Sequence, residues 1–415
     1  MNKRDVRARD ARSAPGARVA IGFLNLAHAI DHYVLLIYPT VVISLETLYQ
    51  RPYSELIALS TPAFVAFGVF SLPAGWLADH WSRRNMMALF YLGCGLSLIA
   101  AAFVANLTLL AFALFSLGVF AAIYHPVGTA MLIEISHARG RTLALNGVCG
   151  NLGVSLAAGI SATFVAWLGW RAAFIVPAAA SIITGVAYLV LVRDDRPVTG
   201  SRKSVADVSL STKAAASMFA LYIIISLASG LTFNSILIAV PKIVDERLGH
   251  DVPLIAVGGL ATAIFLCGAA AQLAVGRLVE RFAPHLVFVA VVVIQFFAIV
   301  WAANASGSAL IVALALAMAA IYGQVTVGDI VIARFTADAW RGRLYAVRYF
   351  LTFVSAGIAV EIIAFLHRAG GFDLLIAVIA AVTAVLVVAV VAFAALVAGV
   401  QQTGARSTRA PQPAE

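Results

Sequence analysis

Long apolar runs fill this chain, and their punctuation recurs about 202 positions apart. Arg139-Gly140-Arg141 opens one run and Arg341-Gly342-Arg343 opens another. Gly169 and Gly371 follow those runs at the same offset, and Pro39 and Pro241 close two others. Gly75 and Gly276 fall within about one residue of it. A half repeated in this way predicts two parallel copies of one membrane-embedded architecture. About 20 apolar residues cross a bilayer as a helix. The hydrocarbon offers no water to backbone polar groups, so helices are what these runs must form.

Composition removes the soluble alternatives. Of 415 residues, 62% are hydrophobic and 11% charged, against roughly 25% charged in soluble domains. At about 33 residues per span and loop, the chain holds about twelve spans. Polar breaks place them at 19–44, 55–77, 85–104, 107–133, 143–167, 172–192, 214–240, 254–276, 285–303, 308–333, 344–366 and 372–399. The expected fold class is an all-α polytopic membrane protein, twelve transmembrane helices in two pseudo-symmetric six-helix bundles. The expected domains are a cytoplasmic tail (1–18), an N-terminal bundle (19–192), a cytoplasmic linker (193–213), a C-terminal bundle (214–400) and a cytoplasmic tail (401–415). Pro197, Gly200 and several serines give the linker a flexible composition.

The formal net charge of +9 does not form a nucleic-acid-binding stripe. Basic residues alternate between loops. One side carries the N-terminal cluster, Arg83, Arg84, Arg139, Arg141, the linker, Arg277, Arg281, Arg334, Arg341 and Arg343. The other carries only Arg51, Arg171, Lys242, Arg247 and Arg368. Positive loops stay inside, which predicts cytoplasmic termini in the cell (inner) membrane. Cys94, Cys149 and Cys267 are scattered through apolar runs and read as inert thiols.

Between the second and third spans lies Gly75-Trp76-Leu77-Ala78-Asp79-His80-Trp81-Ser82-Arg83-Arg84. A degraded copy, Gly276-Arg277-Leu278-Val279-Glu280-Arg281, follows in the second half. Glycine permits close helix approach, the acid suits a helix N-terminus across the bundle junction, and Arg83 is within reach of Glu134 at the end of span four. Together Gly75, Asp79, Arg83, Arg84 and Glu134 are expected to form a cytoplasmic gate. The loop resembles the signature loop of the major facilitator superfamily, with His80 in place of the usual base and Ser82 in place of the usual glycine. A narrower resemblance follows from Ile123-Tyr124-His125-Pro126 and from Gly147, Gly150, Asn151 and Gly153. These are similar to the fosmidomycin-resistance branch, which carries an aromatic-His-Pro and a G-G-N-x-G pattern at those places. His32 departs from that branch, where an acid stands near this level. The branch implies proton-coupled export of small compounds, anionic or drug-like.

Ionisable groups inside spans cost about 2.5–3.5 kcal/mol on insertion scales, so each needs a partner or a wet cavity. His28, Asp31 and His32 share one helical face, and His125 is expected beside it. Three readings stand side by side: a proton site, a metal site and a structural polar cluster. The proton site is taken forward, with no cofactor and no metal assigned. Asn146, Asn151, Gln324, Asp329 and Arg348 are further cavity candidates; Arg348 suits either Asp329 or an anionic substrate. The spacing lacks a Walker loop, a nucleophile elbow and a metalloprotease motif, so an enzyme is not expected. The expected function is secondary active transport by alternating access, with protons, a small-molecule substrate and the lipid bilayer as partners, the monomer as the working unit, and no nucleic acid. Export is the leading direction; import of an organic acid or metabolite by symport is the alternative, and a transport-inactive sensor the remote one.

Overall fold

The computed structural model describes residues 15–136, 139–193, 212–249, 251–335 and 338–407, and every regular element among them is a helix. The N-terminal half runs α1 (Pro15–Tyr49), α2 (Tyr53–Ala58), α3 (Thr61–His80), α4 (Arg83–Phe103), α5 (Leu107–Ala121), α6 (Tyr124–Ile135), α7 (Arg139–Leu168) and α8 (Ala172–Leu191). The C-terminal half runs α9 (Thr212–Leu248), α10 (Leu254–Arg281), α11 (Pro284–Asn304), α12 (Gly307–Phe335) and α13 (Asp338–Ser407). Eleven stretches are long and apolar enough to cross a membrane. The last of them holds two limbs, because α13 leaves helical geometry at Gly370 and Gly371. The result is twelve crossings. Most of the expected linker and both extreme tails lie outside the described residues. The first helix starts at Pro15, inside the expected tail, and the last runs to Ser407.

Local chemistry explains the breaks. Gly371 has φ +64 and Gly169 has φ +85, a region that only glycine enters cheaply. They are the repeat pair of the sequence, and each turns the chain between neighbouring spans. Pro126 has no N–H for the carbonyl four residues back, and the fourth span accordingly divides at residues 122–123 into α5 and α6. The second span divides at residues 59–60, just before Pro62 at the start of α3. Both splits fall inside runs that hydropathy alone reads as unbroken.

The two halves meet along two related seams. On one, α7 packs against α10: the Gly159 amide donates to Thr262 Oγ1 at 3.0 Å. On the other, α3 packs against α13: Thr61 Oγ1 donates to Glu361 Oε1 at 2.5 Å. Gly159 and Glu361 stand at the repeat offset, and Thr262 and Thr61 lie within about one residue of it, as a pseudo-twofold requires. Small residues permit the approach. A Cβ on Gly258 would lie 2.4 Å from Ala162 Cβ, and one on Gly357 2.6 Å from Val65 Cγ2. The repeat prolines Pro39 and Pro241 line one small void between the halves, with Leu36, Thr40, Leu237 and Phe265.

Candidate functional site

His28, Asp31 and His32 occupy one face of α1. The turn before α6 brings His125 to that face. His28 Nδ1 lies 2.8 Å from the backbone carbonyl of Asn146. A carbonyl only accepts, so this nitrogen carries the proton and the lone pair of the neutral ring sits on Nε2. That Nε2 is 3.1 Å from His32 Nε2. His125 Nε2 is 3.3 Å from Asp31 Oδ2, and the Asp31 side chain is 0% exposed. The three rings pack edge to face or tilted, with centroids 4.9–5.4 Å apart. Tyr124 stacks on His28 at 4.8 Å.

Asn146 of α7 ties the cluster to its surroundings. Tyr124 Oη donates to its Oδ1 at 2.9 Å, and its Nδ2 donates to Asn25 Oδ1 at 3.1 Å. Gly150, one turn on, has a specific duty: a Cβ there would lie 2.6 Å from the His28 ring. Gly153 lets α7 rest on α1, since a Cβ would lie 2.1 Å from the Ala29 carbonyl oxygen. Gly147 meets nothing within 4 Å. The glycine pattern thus makes room for an imidazole as well as for a helix.

The other half closes the cluster. The Phe353 ring of α13 lies 5.1 Å from that of His125 and 4.9 Å from that of Phe67. Asn151 donates to Gln272 Oε1 across the α7–α10 seam. In the C-terminal half, Arg348 Nη1 is 2.7 Å from Asp329 Oδ1, and Arg348 Nη2 donates to the Val325 carbonyl at 3.1 Å. Gln324 donates to Ser229 Oγ. Arg348 is the repeat counterpart of Asn146, so each half carries a polar bridge at one level: neutral in the first, ionic in the second.

The expected gate residues fall at one end of the bundle. Arg83 joins Asp79 at 2.7 Å and Glu134 at 2.9 Å. A Cβ on Gly75 would lie 3.3 Å from Pro126, so this glycine seats α3 on α6. Arg84 does something else: its Nε donates to the Val192 carbonyl at 2.7 Å, and its Nη2 donates to Leu189, capping the C-terminus of α8. Among the described residues Asp79 pairs with Arg83 of its own half and is 61% exposed.

A second charged cluster, not anticipated from sequence, seals the opposite end. Lys242 of α9, 7% exposed, pairs with Glu46 of α1 and lies 2.9 Å from Asp245 and 3.6 Å from Glu246. His367 Nε2 of α13 lies 3.0 Å from Glu246 Oε1. The Tyr53 amide donates to Glu46 Oε1 at 3.1 Å. The only sequence signal was a basic residue with two acids three and four positions on.

A duplicated twelve-helix bundle with ionisable side chains at the junction of its halves is a transporter architecture, not that of an enzyme. The sequence profile described as Major Facilitator Superfamily matches residues 22–264, and the chain belongs to that family. No curated protein sequence matches it. Among solved structures it is similar to a bacterial homologue of the human lysosomal transporter Spinster in an inward-facing, unoccupied conformation, with TM-score 0.70, 14% identity, and 92% of this chain and 95% of that chain covered. It is also similar to a D-xylose–proton symporter, with TM-score 0.71, 14% identity and 90% and 96% covered. The E. coli fucose–proton symporter aligns with TM-score 0.60, 14% identity and 91% and 99% covered.

Proposed function

We propose that this protein is a proton-coupled secondary transporter that exports a small compound by alternating access. The observation that carries the reading is Asp31: a carboxylate removed from solvent, 3.3 Å from His125, whose ring touches Phe353 of the other half. A proton arriving there changes the charge at the junction of the halves, and histidine exchanges protons near neutral pH. Ligands act by binding one conformation better than the other, and a charge change at an inter-half contact does the same.

The alternating basic loops support termini, linker and gate on the cytoplasmic side of the cell (inner) membrane. In that frame the Glu46–Lys242 cluster is the outer seal. The contacts between halves run through residues 61–68 and 151–162 of the first half, toward that seal. This supports an inward-open conformation, with Arg83, Asp79 and Glu134 paired among themselves in the first half. The Tyr124-His125-Pro126 and Gly150-Asn151 motifs support the fosmidomycin-resistance branch. The complete site within one chain supports a working monomer.

One observation favours symport of an organic acid instead. The Arg348–Asp329 pair offers a guanidinium that exchanges its carboxylate partner for that of a substrate. Reconstituted vesicles under proton gradients of both signs, with Asp31→Asn and His125→Ala beside wild type, separate the cases. Cargo moving against the inward proton flow supports export, and cargo moving with it supports import. Transport indifferent to the gradient removes coupling.

A further inference from the structure

We propose that His28, His32 and His125 form a binding site for a divalent first-row transition-metal ion, and that such an ion is the cargo of this transporter. The proposal rests on the reading above of a proton-coupled exporter with its proton site at this cluster; it adds that cargo and proton compete for the same side chains, and names the class of cargo.

Three imidazoles from two helices present one donor nitrogen each, all within 4.8 Å of one another. Zinc–imidazole bonds of 2.0–2.1 Å in a tetrahedron put neighbouring donors about 3.3 Å apart. His28 Nε2 and His32 Nε2, 3.1 Å apart, stand near that spacing; the hydrogen bond between them gives way when the His32 proton moves to Nδ1, and the His125 donor lies within 4.8 Å of both. The proton on His28 Nδ1 is held by a backbone carbonyl, which leaves the Nε2 lone pair facing the cluster. A carboxylate lies against His125. A backbone carbonyl and a carboxylate are the two partners that commonly orient metal-bound imidazoles.

Ligand type narrows the ion. The cluster sits in a wall of Tyr124, Phe67 and Phe353 rings. Imidazole donors favour Zn²⁺, Co²⁺, Ni²⁺ or Cu²⁺ over Mg²⁺ and Ca²⁺, which take oxygen ligands. Three protein ligands also leave a position open, as in sites that exchange a ligand and unlike closed structural ones. A carried ion must be able to leave. Gly150, whose Cβ would occupy the space of the His28 ring, keeps that ligand in place.

The test uses the full chain, purified in detergent with any affinity tag removed and titrated with Co²⁺ and Zn²⁺, with Mg²⁺ as control. Wild type is expected to bind one Co²⁺ per chain, with the intense visible absorption of a low-coordinate site, and not to bind Mg²⁺. His28→Ala, His32→Ala and His125→Ala each lower affinity at least about tenfold, and Asp31→Asn lowers it about 10- to 100-fold. His80→Ala, on the exposed surface, leaves it unchanged. Should an alanine variant fail to fold, His125→Gln and the wild-type stoichiometry carry the test. Absent binding in wild type, or Co²⁺ binding that survives in the triple variant, overturns the proposal. Co²⁺ bound at these residues but moved without regard to a proton gradient leaves the site standing and removes the coupling.

Discussion

Phe353 and His125 belong to opposite halves of the molecule, yet their rings lie 5.1 Å apart. Any rocking of one half against the other must break or remake this contact. In the proposed mechanism it is where the state of the histidine cluster reaches the C-terminal half.

Replacing Phe353 by Ala removes its ring contacts with both His125 and Phe67. An aromatic pair contributes about 0.5–1.5 kcal/mol, so the substitution is expected to shift the balance of conformations about three- to tenfold toward the one with the seam open. Pulsed electron–electron distance measurements between spin labels on the two halves check this.

Gly150→Ala places a methyl group 2.6 Å from the His28 ring, which must swing away. Transport is expected to fall about as far as in His28→Ala. Gly147→Ala, one turn earlier with nothing within 4 Å, is expected to be neutral. Equal loss in both variants would assign the effect to helix flexibility instead.

At the far end, Lys242 bridges Glu46 and Asp245 while nearly buried. Lys242→Met removes one partner and leaves carboxylates crowded together. Breaking a buried pair in this way costs about 3–5 kcal/mol, here charged against the conformation in which the seal is shut. Labelling of a cysteine placed at Thr40 from the far side is expected to rise well above wild type. The double variant Lys242→Met with Glu46→Gln is expected to restore part of the seal.

Gly371 holds φ +64 between the two limbs of α13. With ψ −161 as well, this is a region essentially reserved for glycine; alanine there is strained by about 1–3 kcal/mol, and a lower unfolding temperature is the expected result. Gly399→Ala, in the same helix with nothing within 4 Å of where its Cβ would lie, is not expected to lower it.

The twelve crossings were legible because bilayer thickness fixes the length of each apolar run, and the repeat marked its own boundaries with Gly169 and Gly371. His28 and His32 were legible as neighbours because a helix puts positions four apart side by side. The rest depends on register between helices distant in sequence. Lys242 and Glu46 lie on different halves, and no spacing rule ties them. Phe353 is one phenylalanine among 24, distinguished only by where α13 crosses α3. Arg84 entered the expected gate as the second base of the signature-loop pair; that its side chain reaches the Val192 and Leu189 carbonyls at the end of α8 depends on packing that the motif does not encode.

The central claim is that protonation at the Asp31–His125 pair sets which way the halves face. It is tested without knowledge of the cargo by spin labels at Leu72→Cys and Leu273→Cys, exposed positions on α3 and α10, with distances recorded from acid to alkaline pH. A distance distribution that shifts with pH in wild type and is frozen in Asp31→Asn is the predicted result. The same pH response in both proteins would contradict the account.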